Sequence, residues 1–151
     1  MMRISLKKLV VIALSLAAST HAQDDLGKQV YSTVCIACHQ PTGAGLPPVF
    51  PTLINTEYVN GSAERMAAIV LKGVMGPITV NGAAFNNIMP PQEAMLTDEK
   101  IAAVITYVRA SFGNKAAAVK PEVVAEARKK FMSKATMWSE AELKAWPEEK
   151  K

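Results

Sequence analysis
Five consecutive residues, Cys35-Ile36-Ala37-Cys38-His39, carry the side chains best suited to chemistry. Two thiols three positions apart can add to the two vinyl groups of a haem, and the imidazole that follows can reach its iron. Cys-x-x-Cys-His is the attachment pattern of c-type haem. Zinc is a poorer match, because a structural zinc site takes four ligands and the only other histidine, His21, lies in a segment read below as removed on export. A thioredoxin-like redox pair belongs beside a βαβ pattern, and no alternation of strands and helices follows here. A single disulfide is the remaining use of two cysteines in an exported chain.

If haem is bound, its sixth iron position needs a second donor. After export His39 is the only histidine, which excludes a bis-histidine haem and leaves methionine, lysine or an open position. Met89 stands out: it lies 50 residues after His39 in Asn86-Asn87-Ile88-Met89-Pro90-Pro91, a non-helical stretch whose prolines pin the backbone. Met75, between Gly73 and Gly76-Pro77, is the rival on loop context. Met66 falls in an amphipathic pattern and reads as core filling, the usual role of methionine. Met95 lies just before a helix start, and Met132 and Met137 lie late in the chain.

Residues 1–22 have the shape of a secretory signal peptide: Arg3, Lys7 and Lys8, an apolar run from Leu9 to Ala18, then Ser19-Thr20-His21-Ala22. The run is about half of the roughly 20 residues needed to span a bilayer, and cleavage is expected after Ala22. The expected product is an exported, soluble protein with no membrane span after cleavage. Cleavage removes three positive charges and leaves 14 Lys plus Arg against 13 Asp plus Glu, so the formal charge falls from +4 to +1. The basic character is thus partly an export signal, and nucleic acid is not an expected partner.

Of 151 residues, half are hydrophobic but only 6% aromatic, which is room for one compact domain. A haem would add a large apolar disc to such a core. Val30, Val34, Leu46, Val49, Phe50, Leu53, Ile69, Ile88 and Tyr107 are the apolar residues expected to face it. A first helix from about Asp25, capped by Asp24 or Asp25, carries Leu26, Val30 and Val34 on one face and delivers the cysteines at its end. Gln40 to Pro51 reads as an extended loop. A middle helix starts at Ser62 and stops at Gly73. In the last core helix Thr97 is the cap, Leu96 staples Ile101, and Ile101, Val104, Ile105, Val108 and Phe112 form the apolar face, with Gly113 as the stop.

Residues 114–151 read as a charged helical C-terminal extension, nine basic and six acidic. Pro121 can begin one helix, and Ser139 to Glu142 forms a capping box for another, with Trp138 placed to staple Leu143. Arg128-Lys129-Lys130 offers a steering patch for an acidic partner or, more simply, solvated charge. Removing the extension is expected to leave a folded haem core.

Cys35 to His39 at a helix end, Gly43-Ala44-Gly45-Leu46-Pro47-Pro48, Met89-Pro90-Pro91 and the helix Ile101 to Phe112 together resemble a class I cytochrome c over roughly residues 25–113. Gly76-Pro77-Ile78-Thr79-Val80-Asn81-Gly82 is similar to bacterial periplasmic members that occur free or as haem subunits of quinoprotein dehydrogenases and terminal oxidases. The resemblance implies an all-α fold around one haem c in a domain spanning 23–113. It makes Cys35 and Cys38 the thioether residues, His39 the proximal ligand and Met89 the distal ligand, with the Pro47 carbonyl accepting from the His39 ring. It also implies that the last core helix crosses the first beside the haem, meeting Leu26, Gly27 and Tyr31. The expected function is one-electron transfer in the periplasm between a redox donor and a redox acceptor. A haem subunit held permanently in a dehydrogenase or oxidase complex is the alternative, and a peroxidase or gas sensor with an open sixth position a third.

Overall fold
The computed structural model describes residues 23–147; the expected leader and its cleavage point lie outside that range. The first helix, α1, is helical at 23–30, widens into a π turn over Tyr31–Cys35 and closes as an α-turn over Ile36–His39. Asp24 and Asp25 therefore lie within the helix rather than capping it. The Thr33 hydroxyl donates to the carbonyls of Gln29 (3.0 Å) and Val30 (3.2 Å), an alternative to the regular ladder at the widened turn. Gln40, at φ 64°, ends α1 with its amide on Ile36 O.

Helix α2 spans Ala63–Lys72, with Ser62 Oγ accepting from the Arg65 amide as its cap. Gly73 stops it at φ 72°, and a Cβ there would also strike the Met89 carbonyl. Only glycine meets both demands. Next comes a hairpin of β1 (Val74–Val80) and β2 (Ala83–Met89), antiparallel with Val74 opposite Met89 and Val80 opposite Ala83. Asn81 and Gly82 make its two-residue turn at φ 49° and 78°, the positive pair that a type I′ turn requires. The fold is mainly helical with a small sheet, which corrects the all-α expectation. Asn-Gly between β-branched and aromatic residues is a hairpin signal, and it outweighs the loop character of Gly76-Pro77 and Pro90-Pro91.

Helix α3 (Asp98–Ala110) is capped by Thr97 and buries Ile101, Val104, Ile105 and Val108. It ends at Ser111, so Gly113 is not its stop and Phe112 lies beyond its last turn. Phe112 still packs on Tyr31, with ring centroids 5.3 Å apart, and Tyr107 joins them at 5.5 Å from Tyr31. The crossing of α1 and α3 is as expected. A Cβ on Gly27 would collide with the Ala103 carbonyl and come within 2.8 Å of Tyr107 Cβ, so the missing side chain sets how closely the two backbones approach.

The C-terminal segment forms α4 (Pro121–Lys130) and α5 (Glu140–Lys144), the latter with the complete Ser139/Glu142 capping box. Both pack into the interior. Val119, Val124 and Ala127 belong to the main hydrophobic cluster with α1, α2 and α3. Trp138 and Leu143 join Tyr58, Ala68, Val74, Val80 and Phe85 in a second cluster under the hairpin. Arg128 is no steering charge: it pairs with Asp98 at 2.7 Å and donates to the carbonyls of Glu93 and Leu96. Lys130 pairs with Glu64.

Two predictions follow from these contacts. Gly27→Ala should destabilise the haem-loaded protein by about 2 kcal/mol through overpacking, read as a lower midpoint in denaturant. Glu140 is held down to about 2 by Lys144 and the Thr79 amide, and Glu142 to about 2 by Lys134 and Ser139. Because folding lowers both values, their contribution is complete above the ordinary carboxyl value of 4.5 and is lost as pH falls through about 2. Tryptophan fluorescence should report loosening of the C-terminal segment in that window, modest because Glu142 is exposed and Glu140 only half-buried.

Candidate haem site
The end of α1 brings Cys35, Cys38 and His39 to one wall of a cavity whose lining is overwhelmingly apolar. The loop after α1 makes the next wall. Leu46 and Phe50 pair backbone to backbone, each amide donating to the other's carbonyl at 2.9 Å, so Pro47 and Pro48 sit at the exposed tip of a tight turn and Pro51 follows the return strand inward. This geometry corrects the Pro47 expectation: the carbonyl facing His39 Nδ1 belongs to Pro51, at 3.0 Å. A carbonyl can only accept, so Nδ1 carries the proton and donates, leaving the Nε2 lone pair available to a metal. Burial pushes the His39 pKa down, opposed by the bond to Pro51, which keeps the ring in the neutral form that ligates.

The two cysteines are half-buried and are not joined to one another. Helices α2 and α3 close the cavity's depth with Met66, Ile69, Val104 and Ile105. The hairpin supplies the remaining side, including Phe85, Ile88 and Met89.

The structure sorts the methionines. Met89 lines the same cavity as His39, at the end of β2 and on a different element from the motif. Met75, Met95 and Met132 are 52%, 71% and 76% exposed and lie outside the lining, as does Met137. Met66 also lines the cavity but is a buried residue of α2 packed in the main core, in keeping with its reading as core filling. Among the described residues no lysine lines the cavity.

Of the apolar residues expected to face a haem, Val34, Val49, Phe50, Leu53, Ile69 and Ile88 line the cavity, whereas Val30, Leu46 and Tyr107 do not. Val30 and Tyr107 pack instead at the α1/α3 crossing, and Leu46 is exposed at the start of the proline turn. Tyr58, Asn87 and Gln92 also line the cavity; Asn87 and Gln92 flank Met89-Pro90-Pro91, whereas no motif marks Tyr58. The donor set fits a haem: two thiols for covalent attachment, one imidazole with its outer nitrogen fixed, one thioether, and an apolar wall for the macrocycle.

A family model for cytochrome c matches residues 25–112. The chain belongs to the cytochrome c family. It is 33% identical over 137 residues to cytochrome c-552 of Thermus thermophilus, covering 87% of this chain and 90% of that one. It is 32% identical over 95 residues to the cytochrome c subunit of the quinone alcohol dehydrogenase of Gluconobacter oxydans, covering 62% of this chain and 20% of that one. The fructose dehydrogenase cytochrome subunit of Gluconobacter japonicus is 32% identical over 114 residues, 73% of this chain and 23% of that one. Covalently attached haem c with its iron is the cofactor of this cytochrome, Cys35 and Cys38 fit the attachment motif, and the family function is haem electron transfer. Among the described residues no helix is long and apolar enough to cross a membrane.

With one of its two covalent links removed, Cys38→Ala should give a lower yield of haem-bearing chain. Haem staining after denaturing electrophoresis checks this, with wild-type protein keeping its haem throughout.

Proposed function
We propose that the protein is an exported, periplasmic one-electron carrier whose haem iron is held by His39 and Met89. The observation that carries this reading is the presence of both donors on one apolar cavity, brought there by different elements. Haem supplies the one-electron step, and sulfur ligation raises its potential. The polypeptide does the rest. Cys35 and Cys38 tether the group at the end of α1, and the Pro51 carbonyl holds the His39 ring in its ligating tautomer. Val49 and Ile88 are exposed at the cavity rim, where a redox partner can approach, while α2 and α3 keep water from the inner wall. Two protein ligands leave no position for a substrate, which favours transfer over catalysis. The basic leader at 1–22 supports export.

A second reading, a haem subunit held permanently in a dehydrogenase, is favoured by the Gluconobacter relatives, which are cytochrome subunits by name. A stable monomer of the native protein would support the free carrier, and co-purification in fixed ratio with a dehydrogenase would support the subunit.

Met89→Ala should retain covalent haem, lower the midpoint potential, abolish the far-red absorption of sulfur-ligated ferric iron and let the reduced protein bind carbon monoxide. An unchanged spectrum and potential would exclude Met89 as the ligand.

A further inference from the structure
The hairpin that carries Met89 has two strands, and an isolated two-stranded hairpin is at best marginally stable in water. Its β1 edge is covered by the C-terminal segment. Trp138 lies alongside β1 as a parallel bridge to Val74: its amide donates to Gly73 O at 2.9 Å, and its carbonyl accepts from the Met75 amide at 3.0 Å. Alternate residues of a strand direct their amides to opposite edges, so the next two outward positions are Pro77, which has no N–H, and Thr79. The Thr79 amide donates to Glu140 Oε1 at 2.7 Å. Every outward-facing donor of β1 from Met75 to Thr79 is thereby satisfied by residues 138–140.

The contact is anchored. The Trp138 indole is buried and its Nε1 donates to Ala68 O on α2 at 2.9 Å. Its ring meets Phe131 edge-on at 5.0 Å and Trp146 at 5.4 Å. The bridge falls at one register position in particular: Val74 is the cross-strand partner of Met89, and Gly73 packs against the Met89 carbonyl.

Resting on the reading of Met89 as a ligand, we propose that residues 138–140 are a strap that positions Met89, with Trp138 its positioning residue. The strap links α2 to the first residues of β1 and, through the Val74/Met89 pair, fixes where the thioether can sit. A fold stabiliser alone would shift the denaturation midpoint and leave the iron's ligation untouched below the transition. A positioning residue shifts the population of ligated Met89 in the folded protein.

The test compares full-length, haem-loaded wild type, Trp138→Ala, Trp138→Phe and Met89→Ala under conditions where all are folded. The readouts are the far-red ferric band and the rate at which the reduced form binds carbon monoxide. Trp138→Ala should keep covalent haem and helix content, weaken the band and raise the gas-binding rate by about tenfold, a population change equivalent to about 1.4 kcal/mol. Trp138→Phe, which keeps an aromatic ring, should restore most of the wild-type behaviour. Wild-type band and rate in Trp138→Ala, with Met89→Ala losing both, would overturn the strap and leave the ligand reading standing. A wild type that lacks the band would overturn the ligand reading and the strap with it. Should Trp138→Ala yield no folded haem protein, Glu140→Ala, which removes the acceptor of the Thr79 amide, reads the same equilibrium; a wild-type gas-binding rate in that variant would overturn the proposal.

Discussion
Both covalent attachment points and the adjacent imidazole come from a single stretch of five residues, so the haem can only be where α1 ends. That constraint reaches the rest of the fold. The orientation of α1 is set by its crossing with α3, where Gly27 admits the Ala103 carbonyl and Tyr31, Tyr107 and Phe112 fill the remaining space. The Tyr31 hydroxyl donates to Gln40 O at 2.7 Å, tying that crossing to the residue immediately after His39. Burial pushes this phenol up to about 12, so it stays a donor at any physiological pH.

On the proposed ligation the second donor comes from elsewhere in the chain: Met89 lies on a hairpin rather than a loose loop. A hairpin fixes a residue's position through its cross-strand partner, which for Met89 is Val74. Gly73 sits at the junction of α2, β1 and the Met89 carbonyl and transmits the position of the helix to the strand. Asn81 at the far end donates its amide to the Glu57 carboxylate, so the hairpin is held at its turn as well as at its base. The C-terminal segment belongs to the same construction: its apolar residues fill the two clusters beside and beneath the haem cavity, and its polar groups close the strand edge.

The parts legible in the sequence are those whose physics is local. Cys35-Ile36-Ala37-Cys38-His39 specifies its chemistry by spacing alone. Ser62, Thr97 and Ser139 could be read as helix caps because a cap depends on residues within one turn. Met89 could be preferred to Met75 because its prolines restrict the backbone, although the hairpin presenting it was also written there, in Asn81-Gly82. The identity of the proline facing His39 depends on the path of a loop containing Pro41, Pro47, Pro48 and Pro51, and that path is fixed by the Leu46/Phe50 pairing, which no motif announces. Arg128 looked like solvated charge because its partners, Asp98 and the carbonyls of Glu93 and Leu96, lie about 30 residues away in sequence. A still greater distance in sequence hid the role of Trp138, whose neighbours are Ala68, Gly73 and Met75.

The most direct measurement is the absorption spectrum of the exported wild-type protein, oxidised and reduced, with carbon monoxide added to the reduced form. Haem held by Cys35 and Cys38 and ligated by His39 and Met89 predicts a low-spin c-type spectrum with the weak far-red ferric band, unmoved by the gas. A high-spin or gas-responsive spectrum would contradict ligation by both residues and turn the site from electron transfer toward catalysis or sensing.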